Sequence, residues 1–184
     1  MAIGVKIDFE NIYELESISD DLRIATFQSP LKDGTISSLT VKINSQEHAV
    51  LPNVYNLAFG PLNAKAQIDD KAELAHVDYS KVFSTILLSS LNYLTVNTKH
   101  YLGIDGSDNY RAYYYWRFLQ RNFDYLNHSF SMYGVKYYVR ITRYGKNQYD
   151  NPFDFDDIQP FPERIVKTND WPEHMYNYYI FKLK

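Results

Sequence analysis

Alternating apolar and polar positions, broken by turn-forming residues, run through the first third of the chain. Short apolar runs occupy residues 12–15 and 22–27, and between residues 36 and 43 the side chains alternate. A further run at 54–59 ends at a Gly-Pro pair, which favours a break in the chain. Such short, alternating runs are typical of half-buried strands. We therefore expect an antiparallel meander in this third.

A helical spacing replaces the alternation near residue 79. The apolar side chains that recur at this spacing are Val82, Phe83, Ile86, Leu87, Leu91 and Leu94. Asp78 stands where an N-cap residue is needed, because a carboxylate there accepts hydrogen bonds from free backbone N–H groups. The pattern predicts a helix over residues 79–96 that ends near Asn97.

The helical spacing returns between residues 110 and 126, after a short apolar run at 101–104 that predicts a strand. At about 100° per residue, one side of the helix collects Ala112, Tyr115, Trp116, Leu119, Phe123 and Leu126. The opposite side, the arginine–tyrosine surface, collects Tyr110, Tyr114, Arg117, Arg121 and Tyr125. Arg117 and Arg121 lie one turn apart, so they can act together on an anion or a carboxylate.

The turn between this strand and helix is a candidate anion site. Gly106 and Ser107 precede a helix N-terminus, whose free N–H groups and dipole attract negative charge, and Arg111 lies in the first turn. A plain structural cap is the alternative, in which Ser107 or Asp108 caps the helix. Arg111 then pairs with a carboxylate such as Asp105. The turn lacks the glycines of a P-loop or dinucleotide fingerprint, which disfavours a phosphate-binding loop.

The last part of the chain combines a strand, a loop and a closing strand. Between residues 135 and 143, apolar positions alternate with polar ones that include Arg140, so one face of this strand is basic. Residues 145–172 are rich in Pro, Asp and Asn and predict a long loop. Residues 176–183 are apolar on both faces, as in a buried strand. Together these patterns predict one α+β domain over residues 1–184, a mainly antiparallel sheet covered by two helices.

Composition narrows the classes of function. The chain has 184 residues, of which 45% are hydrophobic, and its 18 tyrosines and 11 phenylalanines suit contact surfaces. It has no cysteine, which excludes disulfides, thiol catalysis and cysteine-ligated zinc. Its start lacks the apolar core of a signal peptide, and no stretch reaches the length of a membrane span. We expect a cytoplasmic protein that makes no membrane contact.

The net charge of -3 conceals a segregation of charge along the chain. Residues 101–147 are basic and residues 148–175 are acidic. The acidic stretch contains Asp154, Asp156 and Asp157, interleaved with Phe153 and Phe155. Two alternatives follow for this acidic loop. It folds back over the basic strand and occupies the place of an anionic partner, or it projects and presents its Phe-Asp-Phe sequence to another protein.

Several motifs resemble a family of small uncharacterised bacterial proteins, mostly from Bacteroidota. They are VYNLAFG at 54–60, the Ile68-Asp69-Asp70 triplet, Asp78 with Lys81-Val82, GSDNYRAYYY at 106–115 and YNYYIFKLK at 176–184. The family's middle motif is Gly-Ser, an arginine four residues after the serine and a tyrosine four beyond that, which Gly106, Ser107, Arg111 and Tyr115 fit. Asp105 and Tyr113 depart from the family's usual lysine and second arginine. The resemblance implies a fold, a site near Gly106 and a bacterial or phage source, with defence and mobile-element loci as its associations, but no chemistry.

No catalytic residue, metal or cofactor is assigned from the sequence. The five histidines form no paired metal motif, although Asp69 and Asp70, or the acidic loop, could hold a divalent cation in a nuclease. We expect a non-enzymatic binding protein, with protein partners ahead of nucleic acid and the oligomeric state left open. A nucleic-acid-binding protein or a metal-dependent nuclease is the alternative. The candidate binding residues are Gly106, Ser107, Arg111, Tyr114, Arg117, Arg121 and Arg140, with Asp154, Asp156 and Asp157 in the acidic loop.

Overall fold

The computed structural model describes residues 4–69, 72–106, 109–141, 153–168 and 176–184, with the backbone alone for residues 153 and 155. These residues form eight strands and three helices. The strands are β1 (Leu15–Ile18), β2 (Ile24–Pro30), β3 (Ile36–His48), β4 (Leu51–Gly60), β5 (Tyr101–Asp105), β6 (Phe130–Ile141), β7 (Phe153–Arg164) and β8 (Tyr178–Leu183). The helices are α1 (Tyr79–Val96), α2 (Asn109–Arg121) and α3 (Phe123–Leu126).

The eight strands form one sheet in the order β1-β2-β3-β4-β5-β8-β6-β7. Within the described residues, β4 and β5 pair in parallel and the other neighbouring strands pair antiparallel. Helix α1 makes the crossover that a parallel connection requires. The predicted α+β class, the mainly antiparallel sheet and the N-terminal meander are confirmed.

Helix α1 has the predicted bounds. The side chain of Asp78 accepts a hydrogen bond from the backbone N–H of Lys81 at 2.9 Å, and the N–H of Asn97 closes the last turn on Tyr93 O at 3.0 Å. Both ends of the helix are therefore fixed by residues adjacent in sequence, which is why the sequence pattern predicted them well.

The prediction of one continuous helix over residues 110–126 is wrong, because the helix is interrupted at Asn122. The side chain of Asn122 is buried and donates hydrogen bonds to Phe118 O at 3.0 Å and Val5 O at 3.1 Å. Its amide oxygen also accepts the N–H of Ile7 at 2.8 Å. An amide that serves three backbone groups in the core fixes the chain at this interruption.

Asn122 belongs to a larger arrangement in which side chains hold an N-terminal extended segment over the helices. The N–H groups of Lys6 and Asp8 donate to the hydroxyls of Ser80 and Ser84 on α1. The N–H of Tyr13 donates in the same way to Thr85. Helical side chains thus replace the strand partner that an extended backbone otherwise needs.

The prediction of a loop over residues 145–172 is also wrong in its middle, because Phe153–Arg164 forms β7 and pairs with β6. Pro160 and Pro162 make this stretch look like a loop. Proline is tolerated on an edge strand, where alternate backbone N–H groups face no neighbour, and β7 lies at one edge of the sheet. The prolines also leave this edge poorly suited to pairing with another strand.

The two faces of the sheet are covered differently. The main core lies between one face and the helices, and its side chains from the helices include Val82, Ile86, Leu87, Tyr93, Leu94, Trp116, Leu119 and Leu126. A smaller core on the other face consists of Leu51, Val54, Val135, Tyr178 and Ile180. We call this second face the hairpin face, because Leu51 lies at the tip of the β3–β4 hairpin. No helix in the described residues is long and apolar enough to cross a membrane.

We predict that Trp116→Ala lowers the free energy of unfolding by about 3 kcal/mol, because truncating a buried aromatic side chain leaves a cavity that collapses only partly. Trp116 is 8% exposed and its ring lies 6.1 Å from that of Tyr176. Chemical denaturation measures the change. A melting temperature equal to that of the wild type would contradict the assigned orientation of α2.

We predict that Asn122→Ala costs about 2 kcal/mol or more, because the buried N–H of Ile7 and the carbonyl of Val5 lose their partner. Asn92→Ala is the matched control, since Asn92 is exposed on α1 and its loss should change stability by less than about 0.5 kcal/mol. Equal stability of the two variants would show that Asn122 does not hold the N-terminal segment.

Candidate ligand site under the hairpin

The turn at Gly106 brings the start of α2 against the last strand. The N–H of Gly106 donates to Asn177 O at 2.7 Å, and a Cβ on Gly106 would lie 3.1 Å from the Cα of Ala112. Glycine suits this position, because a Cβ would be in tight contact with the helix backbone. Arg111 is partly buried in the first turn of α2, whereas Ser107 and Asp108 lie outside the described residues.

In the arginine–tyrosine surface, Arg117 and Arg121 are exposed and Tyr110 is 61% exposed. Two of its tyrosines have hydroxyls that point away from solvent or bond within the protein. The hydroxyl of Tyr125 accepts the N–H of Phe9 at 2.8 Å. The hydroxyl of Tyr114 is buried without a hydrogen-bond partner among the described residues, and burial raises its pKa.

The acidic residues lie on a strand beside the basic one. Arg140 on β6 contacts Asp157 on β7 at 3.4 Å, and Lys136 contacts Glu163 at 2.8 Å. Hydrogen bonds to Glu163 from Lys136, and secondly from Tyr176, lower the pKa of this carboxyl. Asp154 lies opposite Arg140 in the strand register, and Asp156 is exposed. Two cations of the basic strand thus already have acidic partners.

The β3–β4 hairpin reaches over the hairpin face. Its register shifts between Ile43 and Glu47 and again between Glu47 and His48, and such bulges bend a ribbon. Leu51, the first residue of β4, belongs to the small core with Val135 of β6, although β5 and β8 separate these two strands in the sheet. The hairpin therefore folds across several strands.

A polar pocket of about 410 Å³ opens beneath the bent hairpin. Its lining residues are Asn44, Gln46, Glu47, His48, Asn56, Asp105, Tyr137, Asn177 and Tyr178. They come from β3, β4, β5, β6 and β8 and from the residue before β8. The volume lies in the range of small-ligand sites. We call this cavity the hairpin pocket.

His48 contacts the strands on the far side of the pocket. Its ring centroid lies 5.0 Å from that of Tyr178, and its Nε2 lies 3.4 Å from the hydroxyl of Tyr137. Its Nδ1 accepts the N–H of Val50 at 3.3 Å. Burial lowers the pKa of His48, which favours the neutral ring. Because Nδ1 is an acceptor, the neutral ring carries its proton on Nε2 and offers it to Tyr137.

Tyr178 forms the floor of the pocket and depends on Gly103. A Cβ on Gly103 would lie 2.0 Å from the Tyr178 hydroxyl, so a glycine lets this ring lie over β5. The hydroxyl lies 3.5 Å from Asn56 Oδ1. Burial raises the pKa of Tyr178, and the charges of Tyr137 and Asp105 raise it further. The phenol therefore stays protonated at neutral pH and acts as a hydrogen-bond donor.

The hairpin pocket adjoins the turn that the sequence singled out. Asp105 and Asn177 line the pocket, and Gly106 follows Asp105 and bonds to Asn177. Sequence reasoning singled out Gly106, which adjoins the pocket, but among the described residues none of the predicted site residues lines it. It missed His48, Tyr137 and the other lining residues, because they are far apart along the chain and form no motif in the sequence.

A second polar cluster lies at the Glu47–Tyr55 pair of the same hairpin, on the helix-covered side. The guanidinium of Arg23 lies 4.9 Å from the ring centroid of Tyr55 and 5.1 Å from that of Tyr93. The hydroxyl of Tyr93 contacts His100 Nδ1 at 2.7 Å, and that of Tyr55 donates to Glu47 at 3.3 Å. Glu47 therefore connects this cluster with the pocket.

A family model matches residues 10–154, which include the hairpin, both long helices, all of β6 and the first two residues of β7. The chain belongs to the family of unknown function DUF6934. The match reaches further toward the N-terminus than the resemblance seen in the sequence, and it stops before the closing strand. No curated protein and no solved structure matches the chain significantly. Among the described residues, no three His, Asp or Glu side chains group as metal ligands.

We predict that the free energy of unfolding falls as the pH is lowered from about 7 to about 5.5. Burial lowers the pKa of His48, His76 and His100 in the folded protein. The unfolded chain, with ordinary histidine pKa values near 6.5, takes up protons first, so stability present above that pH is lost below it. Denaturant titrations at several pH values measure the slope. His48→Gln should reduce the slope, and an unchanged or steeper slope would contradict the neutral assignment of His48.

Proposed function

We propose that the protein works by binding rather than catalysis, and that it binds a protein partner on the hairpin face. The observation that carries this proposal is the hairpin pocket, a polar cavity set in a tyrosine-rich sheet surface. Partly exposed Tyr101, Tyr133 and Tyr137 pack on the small core beside it, and Val50 at the hairpin tip is 37% exposed. Large aromatic side chains around a central pocket are typical of the energetic centre of protein interfaces.

The chemistry of the pocket supports binding over catalysis. Burial raises the pKa of Tyr137 and Tyr178, so both phenols are hydrogen-bond donors rather than bases at neutral pH. His48 uses both ring nitrogens on Val50 and Tyr137, which orient it within the wall. These groups are arranged to recognise a bound group and not to activate a nucleophile.

Nucleic-acid binding through the arginine–tyrosine surface is the second candidate, favoured by the exposure of Arg117 and Tyr110. Arginine and tyrosine together can contact phosphates and stack on bases. The pairing of Lys136 with Glu163 and of Arg140 with Asp157 weakens this candidate, because it reduces the net positive charge of the neighbouring strand. A metal-dependent nuclease stays a prediction, and the described residues contain no group of three His, Asp or Glu side chains that would support it.

The source and location of the protein are part of the proposal. We propose a cytoplasmic protein of bacterial or phage origin, from a defence or mobile-element locus. The support is the family resemblance of the sequence together with the absence of cysteine, which suits a reducing compartment.

Affinity capture with three matched variants tests the proposed surface. Gln46→Trp fills the pocket from an exposed lining position. Gln28→Trp makes the same change on the same face of the sheet, but at an exposed position of β2 away from the pocket. Arg117→Ala with Arg121→Ala removes the cations of the other candidate surface. Each bait is used on lysate of the native host, and partners captured by the wild type are quantified by mass spectrometry.

We expect Gln46→Trp to lose the main protein partner by tenfold or more, which corresponds to about 1.4 kcal/mol. Gln28→Trp and the double-arginine variant should retain it. Loss with the double-arginine variant and retention with Gln46→Trp would overturn the proposal. Salt-sensitive binding of a single-stranded oligonucleotide that the double-arginine variant abolishes would favour the nucleic-acid candidate instead.

A further inference from the structure

We propose that the partner protein presents an acidic, extended segment to the hairpin face, and that this segment binds to Lys182 and Arg164 beside the small core. The proposal rests on the proposed function, because it names the chemistry of the partner on the same face. We call the binding area the lysine–arginine surface. Its residues are Tyr101, Ser131, Tyr133, Arg164 and Lys182.

The strand register places both cations on the hairpin face. Ile180 belongs to the small core, and Lys182 follows it by two residues on β8, so the two side chains lie on the same face. Tyr133 packs on the small core, and Arg164 is its partner in the ladder, where opposite residues share a face. Ile165, the next residue, is buried in the main core on the other face.

Hydroxyl groups lie beside each cation. Lys182 is paired with Tyr101 on one side and Ser131 on the other, and its Nζ lies 5.5 Å from the ring centroid of Tyr101. Arg164 is exposed and is paired with Tyr133. The three hydroxyl-bearing side chains are partly exposed, and a hydroxyl can donate a hydrogen bond to a carboxylate. The surface therefore offers an anion two cations and three neutral donors.

The two faces of β6 and β7 differ in how their cations are paired. On the helix side, carboxylates of β7 contact Lys136 and Arg140. On the hairpin face, neither Arg164 nor Lys182 makes an ion pair within the part of the chain that the structure describes. Asp105 is at the far end of β5, about 13 Å along the strand from its first residue. The positive charge of the lysine–arginine surface thus suits a partner of opposite charge.

The spacing of the two cations suits an extended peptide. Arg164 lies two strands from Lys182 and two residues along, so their Cα atoms are about 12 Å apart at strand spacings of about 4.8 Å and a rise of about 3.4 Å per residue. In an extended peptide, side chains four residues apart share a face and are about 13 Å apart. Two such carboxylates can contact both cations, and a third between them faces the hydroxyl groups.

The same surface suits single-stranded nucleic acid less well. Base stacking needs an open ring face. Tyr101 and Tyr133 pack on the small core, and Lys182 lies over the ring of Tyr101, so both rings are already in contact within the protein. Two cations also supply little of the charge on which binding to a phosphate backbone depends. A carboxylate needs only the cations and the hydroxyl donors.

Titration with short peptides tests the proposal without the partner. The probes are the capped peptides Glu-Val-Glu-Val-Glu, Gln-Val-Gln-Val-Gln and Lys-Val-Lys-Val-Lys, with a single-stranded oligothymidylate as the nucleic-acid probe. Binding to the full chain is followed by NMR on the side-chain signals of Lys182, Tyr101 and Tyr133. We expect the glutamate peptide to bind at least fivefold more tightly than the glutamine peptide, to shift these signals and to weaken as salt is added. Equal binding of the glutamine peptide, tighter binding of the oligothymidylate, or shifts only elsewhere would overturn the proposal.

Charge reversal identifies the groups responsible. Lys182→Glu with Arg164→Glu should weaken binding of the glutamate peptide by tenfold or more and make the lysine peptide the tighter ligand, which a purely structural defect would not do. Lys42→Glu with Lys65→Glu is the matched control, since both lysines are exposed, on β3 and after β4, and the change in net charge is the same. If the reversed variant fails to fold, Lys182→Gln with Arg164→Gln should still weaken binding by fivefold or more. An unchanged preference in a folded variant, or an equal loss in the control, would contradict the assignment.

The outcomes separate this proposal from the proposed function. If Gln46→Trp loses the partner but the peptides show no preference for glutamate, the hairpin face is the interface and the acidic segment is wrong. If Gln46→Trp retains the partner and the glutamate peptide still shifts Lys182, the pocket-centred interface fails and the lysine–arginine surface stands as an acidic-peptide site.

Discussion

The contact of the β3–β4 hairpin tip with the far strands of the sheet is the constraint on which the site depends. Leu51 and Val54 are buried with Val135 and Ile180 in the small core of the hairpin face. Burying several aliphatic side chains contributes on the order of 1.5–3 kcal/mol each, which is enough to hold a bulged ribbon over the sheet. Without this contact, His48 would not reach Tyr137 and Tyr178, and the cavity would be open sheet surface.

The helix-covered face of the sheet supports the strands that form the pocket. Helices α1 and α2 bury the main core, and the N-terminal segment is fixed across them by hydrogen bonds to serine, threonine, asparagine and tyrosine side chains. The close approach of α2 to Gly106 then fixes the end of β5 and the position of Asp105. One wall of the hairpin pocket is thus set by the helices and the other by the bend of the hairpin.

Sequence patterns correctly predicted those parts of the fold that are determined by residues close together in the chain. Helix α1 has its cap and its apolar side chains within one segment, so the predicted bounds agree with the observed ones. The alternation of apolar and polar residues was sufficient to predict the strands of the N-terminal meander. Asn122 looked like an ordinary helical residue because its partners Val5 and Ile7 lie far away in sequence. The strand β7 looked like a loop because proline is usually absent from strands. Pro160 is tolerated there because β7 lies at the edge of the sheet, and the sheet order cannot be seen in the sequence pattern. The sequence pointed only to Gly106, beside the pocket, because the lining residues are far apart in the chain and are brought together by strand pairing and bulges that leave no periodic signal.

The central claim is that the hairpin tip lies on the sheet in solution and forms the pocket between His48 and the tyrosines. Nuclear Overhauser effects measured on methyl- and aromatic-labelled protein test this most directly. We expect cross-peaks from the ring protons of His48 to those of Tyr178 and to those of Tyr137, whose ring centroids lie 5.0 and 6.4 Å from that of His48. Absence of both sets, in a protein that shows the expected cross-peaks between Trp116 and Tyr176 on the helix side, would contradict it.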